Sequence, residues 1–179
     1  MYRRLILLIA VALLLFAGNA AQAGVSVGIN GDWNKFRHAN SGDWGIGGRL
    51  SFGGQLRGMV TFDYYFVDAG DFFENGNDNG LDMKFWEANA DLVYRFPTPT
   101  VRPYLGAGVG IARHTFSGGI DALLDDNKTK TGFNILGGAE FGNGPVRPFI
   151  EVRGTFYSKD EAFLGDSNRR FITSFGILF

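Results

Sequence analysis

The sequence predicts an all-β fold, namely an eight-stranded antiparallel up-and-down transmembrane β-barrel. Three observations support this prediction: an amino-terminal segment typical of export, side chains that alternate between apolar and polar along much of the chain, and connections that are alternately short and long. Together they favour a barrel in the outer membrane of a bacterial-type envelope.

Residues 1–23 have the features of a cleaved signal peptide. Arg3 and Arg4 are basic, residues 5–16 are almost entirely apolar, and residues 21–23 have the small-x-small form of a cleavage site. The apolar run is short for a membrane helix, and no stop-transfer sequence follows it. We therefore expect residues 1–23 to be removed and residues 24–179 to form one outer-membrane β-barrel domain.

The composition narrows the class of protein. The chain has no cysteine and a formal net charge of −1, and it becomes more acidic once Arg3 and Arg4 are removed. A disulfide framework and thiolate metal sites are therefore excluded, and nothing favours nucleic acid as a partner. No later stretch is apolar for long enough to cross a bilayer as a helix. A closed barrel is the other way to satisfy every backbone polar group in lipid.

Alternation with a period of two residues is clearest in residues 56–66, 86–96 and 146–157. In the first of these segments Val60 and Phe62 share one face, while the other face is more polar. Weaker alternation brings the number of predicted strands to eight, the additional strands being 24–33, 44–52, 101–111, 132–141 and 170–179.

The connections between these strands fall into two classes. Residues 53–55, 97–100 and 142–145 are tight turns, whereas the long polar connections are 34–43, 67–82, 115–131 and 158–168. Short and long connections alternate strictly. Outer-membrane barrels place short turns in the periplasm and long loops outside, so we expect both termini to be periplasmic.

The charged side chains of the strands lie opposite the apolar face. A soluble lipocalin-like barrel would have an apolar interior and a charged exterior. An even mixture of bulky acidic and basic side chains instead suits an interior in which each charge needs a partner. The predicted lumen network consists of Arg49, Asp63, Glu87, Asp91, Arg95, Arg102, Glu140, Glu151 and Arg153.

Aromatic residues are concentrated at both ends of the apolar face, with plainer residues such as Val60 and Val152 between them. Aromatic girdles that flank an apolar band are typical of a lipid-facing exterior. The predicted girdles are Trp33, Trp44, Tyr64, Phe66, Trp86 and Phe156 near the long loops, and Phe52, Tyr94, Phe96 and Phe141 near the short turns.

Two segments carry a resemblance to a known family. The turn Arg95-Phe96-Pro97 followed by residues 101–110 resembles the central hairpin of the small outer-membrane β-barrel domains that include OmpA-like, OmpX-like and opacity-type porin-related proteins. The carboxyl end resembles the terminal strand of that family, although Thr173 replaces a larger apolar residue. The resemblance implies that the barrel-assembly machinery recognises this strand through Phe171, Phe175, Ile177 and Phe179.

The resemblance also bears on domain organisation. Full-length OmpA-type proteins carry a soluble peptidoglycan-binding domain after the barrel, and this sequence ends at Phe179. We therefore expect no anchoring role through such a domain.

The lumen of an eight-stranded barrel is only wide enough for its own side chains. Inward glycines either relieve crowding or leave small wet pockets, and we favour relief of crowding at positions 45, 47, 106, 108, 110 and 138. We therefore predict a lumen plugged by paired charges. A symmetric turn at 97–100 would put Arg95 directly opposite Arg102, which is unfavourable unless a carboxylate such as Asp91 or Glu140 intervenes.

Candidates for catalysis and for metal binding are weak. The histidines are His38 and His114, and Ser117 lies three positions after His114. Strand alternation separates such a pair, which departs from the histidine-x-serine pattern of lipid A deacylase barrels. Residues 75–80 are rich in oxygen ligands but lack the ligand order of a calcium loop. We expect no catalytic residue, cofactor or metal.

These observations favour a structural and interaction protein that acts through four extracellular loops. The expected partners are outer-membrane lipid and lipopolysaccharide, the barrel-assembly machinery during biogenesis, and an extracellular molecule at the loops. A narrow channel or small-ligand conduit is the first alternative, and a lipid A-modifying enzyme is the second.

Overall fold

A computed structural model describes residues 24–36, 42–67, 82–117, 129–157 and 169–179. The predicted signal peptide, the interior of each long connection and His38 lie outside the described residues. None of the described residues belongs to a helix long and apolar enough to cross a membrane. The eight strands are β1 (Val25–Phe36), β2 (Asp43–Gly53), β3 (Leu56–Val67), β4 (Asp82–Arg95), β5 (Val101–Ser117), β6 (Thr129–Phe141), β7 (Arg147–Tyr157) and β8 (Arg169–Leu178).

The strands form one closed barrel in chain order. Each strand pairs antiparallel with the next, and β1 closes the barrel against β8, with Gly31 opposite Phe175. Beyond the last ladder residue, the N–H of Phe179 donates to the carbonyl of Val27 at 2.7 Å, and the N–H of Val27 donates to the carbonyl of Phe179 at 3.2 Å. Closure leaves no strand edge unpaired, and it confirms the predicted up-and-down topology.

The three tight turns and the described ends of the chain, Gly24 and Phe179, lie at one end of the barrel, which we call the short-turn mouth. Gly53 has a φ of +118°, where a Cβ would lie 2.6 Å from the carbonyl oxygen of Leu56. Glycine at this position therefore allows the β2–β3 turn to close.

The turn between β4 and β5 corrects the expected pairing of Arg95 with Arg102. Arg95 lies opposite Tyr104, and Arg102 lies opposite Glu140 on β6. The ladder between β4 and β5 stops at Tyr104, two positions short of Arg102, and residues 101–103 of β5 are in the ladder with β6. The two arginines are therefore not cross-strand neighbours.

Several strands extend into segments that the sequence placed in long loops. The ladder between β1 and β2 reaches Asn34 opposite Asp43, and β5 continues to Ser117 while β6 begins at Thr129. The predictions of loops at 34–43 and 115–131 are wrong at these ends. Alternation in polarity marks only the part of a strand whose faces meet different surroundings, whereas backbone pairing continues beyond it.

Candidate functional site

The interior of the barrel holds most of the polar side chains of the described strands. Seven members of the predicted lumen network are buried, namely Arg49, Asp63, Glu87, Asp91, Glu140, Glu151 and Arg153. Arg95 and Arg102 are half-buried at the short-turn mouth. Alternation along the strands brings these side chains into one enclosed volume.

A cluster at mid-height joins four strands. The carboxylate of Glu151 accepts hydrogen bonds from Arg49 at 3.0 Å, from the hydroxyl of Tyr104 at 2.9 Å and from Arg153 at 3.2 Å. Arg153 also lies 2.9 Å from the carboxylate of Asp91. Charge-assisted bonds of this kind are strong, and each carboxylate here has a basic partner.

A second cluster lies nearer the long connections. Arg170 forms an ion pair with Glu87, and its guanidinium carbon lies 4.8 Å from the centroid of the Tyr65 ring and 4.6 Å from that of the Phe85 ring. The hydroxyl of Tyr157 donates to Glu87 at 3.4 Å. A planar guanidinium can stack on aromatic faces while it pairs with a carboxylate, and an ammonium group cannot.

Asp63 departs from the predicted pairing of opposite charges. The amide of Asn30 donates to the carboxylate of Asp63 at 2.9 Å and to both oxygens of Asp32 at 2.8 and 2.9 Å. Asp63 forms no ion pair with any described residue. The amide group of Asn30 is therefore shared by the two buried carboxylates of Asp32 and Asp63.

Apolar side chains fill the lumen between the mid-height cluster and the short-turn mouth. Met59, Val93, Tyr104 and Leu136 form a buried cluster, and the guanidinium carbon of Arg49 lies 3.7 Å from the centroid of the Phe149 ring. The cavity beside this layer has a volume of about 10 Å³, which is at most the space of one water molecule. The sequence did not predict this layer, because the inward face was interpreted as polar throughout.

Glu140 is the only carboxylate that pairs with the arginines of the short-turn mouth among the described residues. It lies 2.9 Å from Arg57 and 3.5 Å from both Arg95 and Arg147. Arg102 donates to the carbonyl of Gly142 instead. We call Arg57, Arg95, Arg102 and Arg147 the arginine ring.

Four of these interior charges are absent from the network predicted from the sequence, namely Asp32, Arg57, Arg147 and Arg170. The alternation of β3, β7 and β8 already places the three arginines on the inward face. Position in the alternation would therefore have been enough to include them. Asp32 lies in β1, whose weaker alternation gave less guidance.

The inward glycines lie opposite larger inward side chains on the neighbouring strand. Gly47 is opposite Asp63, Gly110 is opposite Asn89 and Gly138 is opposite Tyr104. A Cβ added at these glycines would meet the opposite side chain at 1.9, 2.1 and 2.5 Å, respectively. The side chain opposite each glycine occupies the volume that a Cβ there would need, as expected when small and large residues alternate in a narrow barrel.

The outer surface of the barrel is apolar. The predicted girdle residues all belong to the outward set of side chains, and several pack against each other, such as Tyr94 against Phe96 and Tyr64 against Phe66, with ring centroids 5.2 and 5.5 Å apart. Exposed large apolar residues such as Val60, Val109 and Val152 lie between the two ends. A surface this apolar suits lipid rather than water.

The described residues hold no group of three His, Asp or Glu side chains placed to bind a metal ion. His114 and Ser117 lie three positions apart on the continuous strand β5. The oxygen-rich segment 75–80 falls outside the described residues.

A model of the outer membrane protein beta-barrel domain matches residues 6–173, which is most of the chain. The chain belongs to this family. It is an outer-membrane barrel, and the alternative of a soluble barrel is wrong. A search of curated protein sequences finds no significant match.

Solved structures of outer-membrane barrels share this fold. The similarity to Neisserial surface protein A has a TM-score of 0.62 at 22% identity, over 87% of this chain and 96% of that one. The amino-terminal β-barrel domain of OprF from Pseudomonas aeruginosa gives 0.54 at 17% identity, over 86% and 97%. The outer membrane enzyme PagL gives 0.50 at 16% identity, over 85% and 98%. At these identities the similarities establish only the fold of this chain.

Proposed function

We propose that the protein is a structural and interaction component of the outer membrane, with a lumen that is closed by its own side chains. Four connecting segments, 37–41, 68–81, 118–128 and 158–168, join strands at the end opposite the short-turn mouth. If that end faces outward, these segments are the part of the chain that meets the exterior of the cell.

The observation that carries this proposal is the filling of the lumen. From the long connections to the short-turn mouth, the lumen contains the Glu87 cluster, then the Glu151 cluster, and then the apolar layer around Met59 and Leu136. An ion that crosses the barrel would have to separate buried ion pairs and then pass apolar side chains, and both steps are unfavourable.

The envelope phenotype tests this role. Cells that lack the protein should be more sensitive to bile salts than cells that produce it. Restoration by the native protein, and by a variant with residues 68–81 shortened to a tight turn, would assign the role to the barrel. Restoration by the native protein alone would assign it to the connecting segment. Unchanged sensitivity in the deletion strain would contradict a role in envelope integrity.

The orientation belongs to the same proposal: cleavage after residue 23, periplasmic termini and long connections outside. The chain has no cysteine, so single cysteines can report sidedness. A membrane-impermeant maleimide should label Asp78→Cys on intact cells and should label Asn143→Cys, in the turn after β6, only after lysis. The reverse pattern would show that the long connections face the periplasm.

Mass spectrometry of the purified protein tests the cleavage site and should give Gly24 as the first residue.

The proposed partners follow from three parts of the protein, namely the apolar band, the carboxyl-terminal strand and the long connections. Outer-membrane lipid and lipopolysaccharide would contact the aromatic ends of the apolar band. The assembly machinery would contact the carboxyl-terminal strand, and an extracellular molecule would contact the long connections. In the folded protein Phe179 is 57% exposed and points away from the lumen, which leaves its ring accessible.

An enzymatic role is not part of the proposal, although the fold is shared with the outer membrane enzyme PagL. His114 and Ser117 lie three positions apart on β5, which departs from the histidine-x-serine spacing of lipid A deacylase barrels. Incubation of the purified barrel with lipid A should leave the mass of the lipid unchanged. Loss or gain of an acyl chain would contradict this exclusion.

A further inference from the structure

The short-turn mouth contains an open cavity of about 620 Å³. Its walls include all four residues of the arginine ring, together with Ser26. Its floor is the apolar end of the lumen, where Met59, Val93 and Leu178 border the small cavity next to Arg57 and Glu140. The open cavity therefore lies next to the apolar layer of the lumen, and Arg57 borders both cavities.

The charge in this pocket is strongly unbalanced. Four guanidinium groups surround Glu140, whose two carboxylate oxygens are shared by Arg57, Arg95 and Arg147. Arg102 forms no ion pair with a described residue and donates to a backbone carbonyl. At mid-height, in contrast, the two basic residues Arg49 and Arg153 face the two carboxylates of Glu151 and Asp91.

One hydrogen-bond donor of the arginine ring lacks an acceptor. The Nε group of Arg102 is buried and donates no hydrogen bond to any described residue, whereas the Nε of Arg147 lies 3.5 Å from the carboxylate of Glu140. The side chain of Arg57 is 6% exposed, whereas those of Arg95 and Arg147 are 20% and 15% exposed and can be reached from outside. Buried donors in native proteins are normally satisfied, so an acceptor from outside the chain fits this arrangement.

We propose that the arginine ring binds a phosphate group. A phosphate has several acceptor oxygens on one centre and can take charge-assisted bonds from more than one guanidinium fork at once. It would also neutralise the positive charge that the single carboxylate of Glu140 leaves uncompensated. A carboxylate offers two oxygens and less charge, so it satisfies fewer of the donors.

Titration calorimetry with the protein purified from outer membranes in an uncharged detergent tests the proposal. Inorganic pyrophosphate is the first probe. It should bind at low ionic strength and weaken as salt is added. Arg102→Gln and Arg147→Gln should each weaken binding by about tenfold or more, the loss expected for a hydrogen bond to a charged group. Arg169→Gln, an exposed arginine at the opposite end of the barrel, is the matched control and should leave binding unchanged.

Two further probes separate the source and the chemistry of the ligand. Glycerophosphoglycerol, the deacylated headgroup of phosphatidylglycerol, carries a phosphodiester. If it binds at the arginine ring, the pocket accepts lipid headgroups; if only pyrophosphate binds, the source is a soluble phosphate. Tricarballylate carries a comparable charge on three carboxylates. Equal affinity for tricarballylate, no binding of pyrophosphate, or pyrophosphate binding that survives both arginine substitutions would overturn the proposal.

Discussion

Arg57 on β3 and Glu140 on β6 lie 2.9 Å apart across the short-turn mouth, although their strands are not neighbours in the barrel. Arg95 and Arg147 share the same carboxylate at 3.5 Å. One acidic side chain thus holds three basic ones in place. Its removal would leave like charges facing each other in an enclosed volume.

Glu140→Ala should therefore destabilise the barrel by about 3–5 kcal/mol, the usual cost of removing one partner from a buried ion pair. The measurement is the urea midpoint of unfolding in detergent micelles. Arg95→Gln is the control, because that side chain is 20% exposed and its loss should cost less than about 1 kcal/mol. An unchanged midpoint for Glu140→Ala would mean that the site is hydrated or unpaired.

Arg170→Lys tests whether stacking matters in addition to charge. The substitution keeps the positive charge near Glu87 but loses the planar group that contacts the rings of both Tyr65 and Phe85. We expect a loss of about 1–2 kcal/mol in the free energy of unfolding. Arg169→Lys, its exposed neighbour on β8, should change stability by less than about 0.5 kcal/mol. Equal effects in the two variants would remove stacking from the explanation.

Gly47→Ala tests the crowding of the lumen. The added Cβ would lie 1.9 Å from Oδ1 of Asp63 and 2.6 Å from the amide nitrogen of Asn30, so the acid–amide cluster would have to shift at a cost of about 1–3 kcal/mol. Gly54→Ala is the control, since its Cβ would meet nothing within 4 Å. If the two variants have the same midpoint, the interior has free space at Gly47 and the closed lumen is called into question.

Phe179→Ala separates folding from assembly. The backbone of Phe179 pairs with Val27, and its side chain points outward, so the substitution leaves barrel closure intact. The amount assembled in cells should fall severalfold, whereas refolding into detergent should change little. Phe141 is an outward aromatic residue at the same end of the barrel, on β6. Phe141→Ala is therefore the control and should assemble normally. Equal losses in cells and in detergent would show that Phe179 acts in packing, and normal assembly would discard the recognition role.

The sequence was sufficient for the strand number, the order and the face of nearly every side chain, because a period of two residues translates directly into inside and outside. It was less informative about pairing across the lumen. The partner of Asp63 is Asn30, and the partners of Glu140 include Arg57 and Arg147. Such contacts depend on strand tilt and on how far each side chain reaches, and neither property is local in sequence.

The register at the β4–β5 turn shows a second limit. A symmetric turn at residues 97–100 was the simplest expectation, yet Arg95 lies opposite Tyr104. The N–H of Phe96 donates to the carbonyl of Pro103 at 2.9 Å, and that of Thr98 donates to the carbonyl of Phe96 at 2.9 Å. The local hydrogen bonds of the turn therefore set the register, and the alternation of side chains is unchanged by a shift of two positions.

The most direct test of the closed lumen is single-channel recording with the native barrel in a planar phosphatidylcholine bilayer. Boiled protein serves as the control for detergent leakage, and a general porin serves as the control for insertion. A closed lumen predicts no discrete current steps from folded, inserted protein across the range of voltages that the bilayer tolerates. Reproducible steps from the native protein, absent from the boiled sample, would contradict it and would favour the narrow conduit.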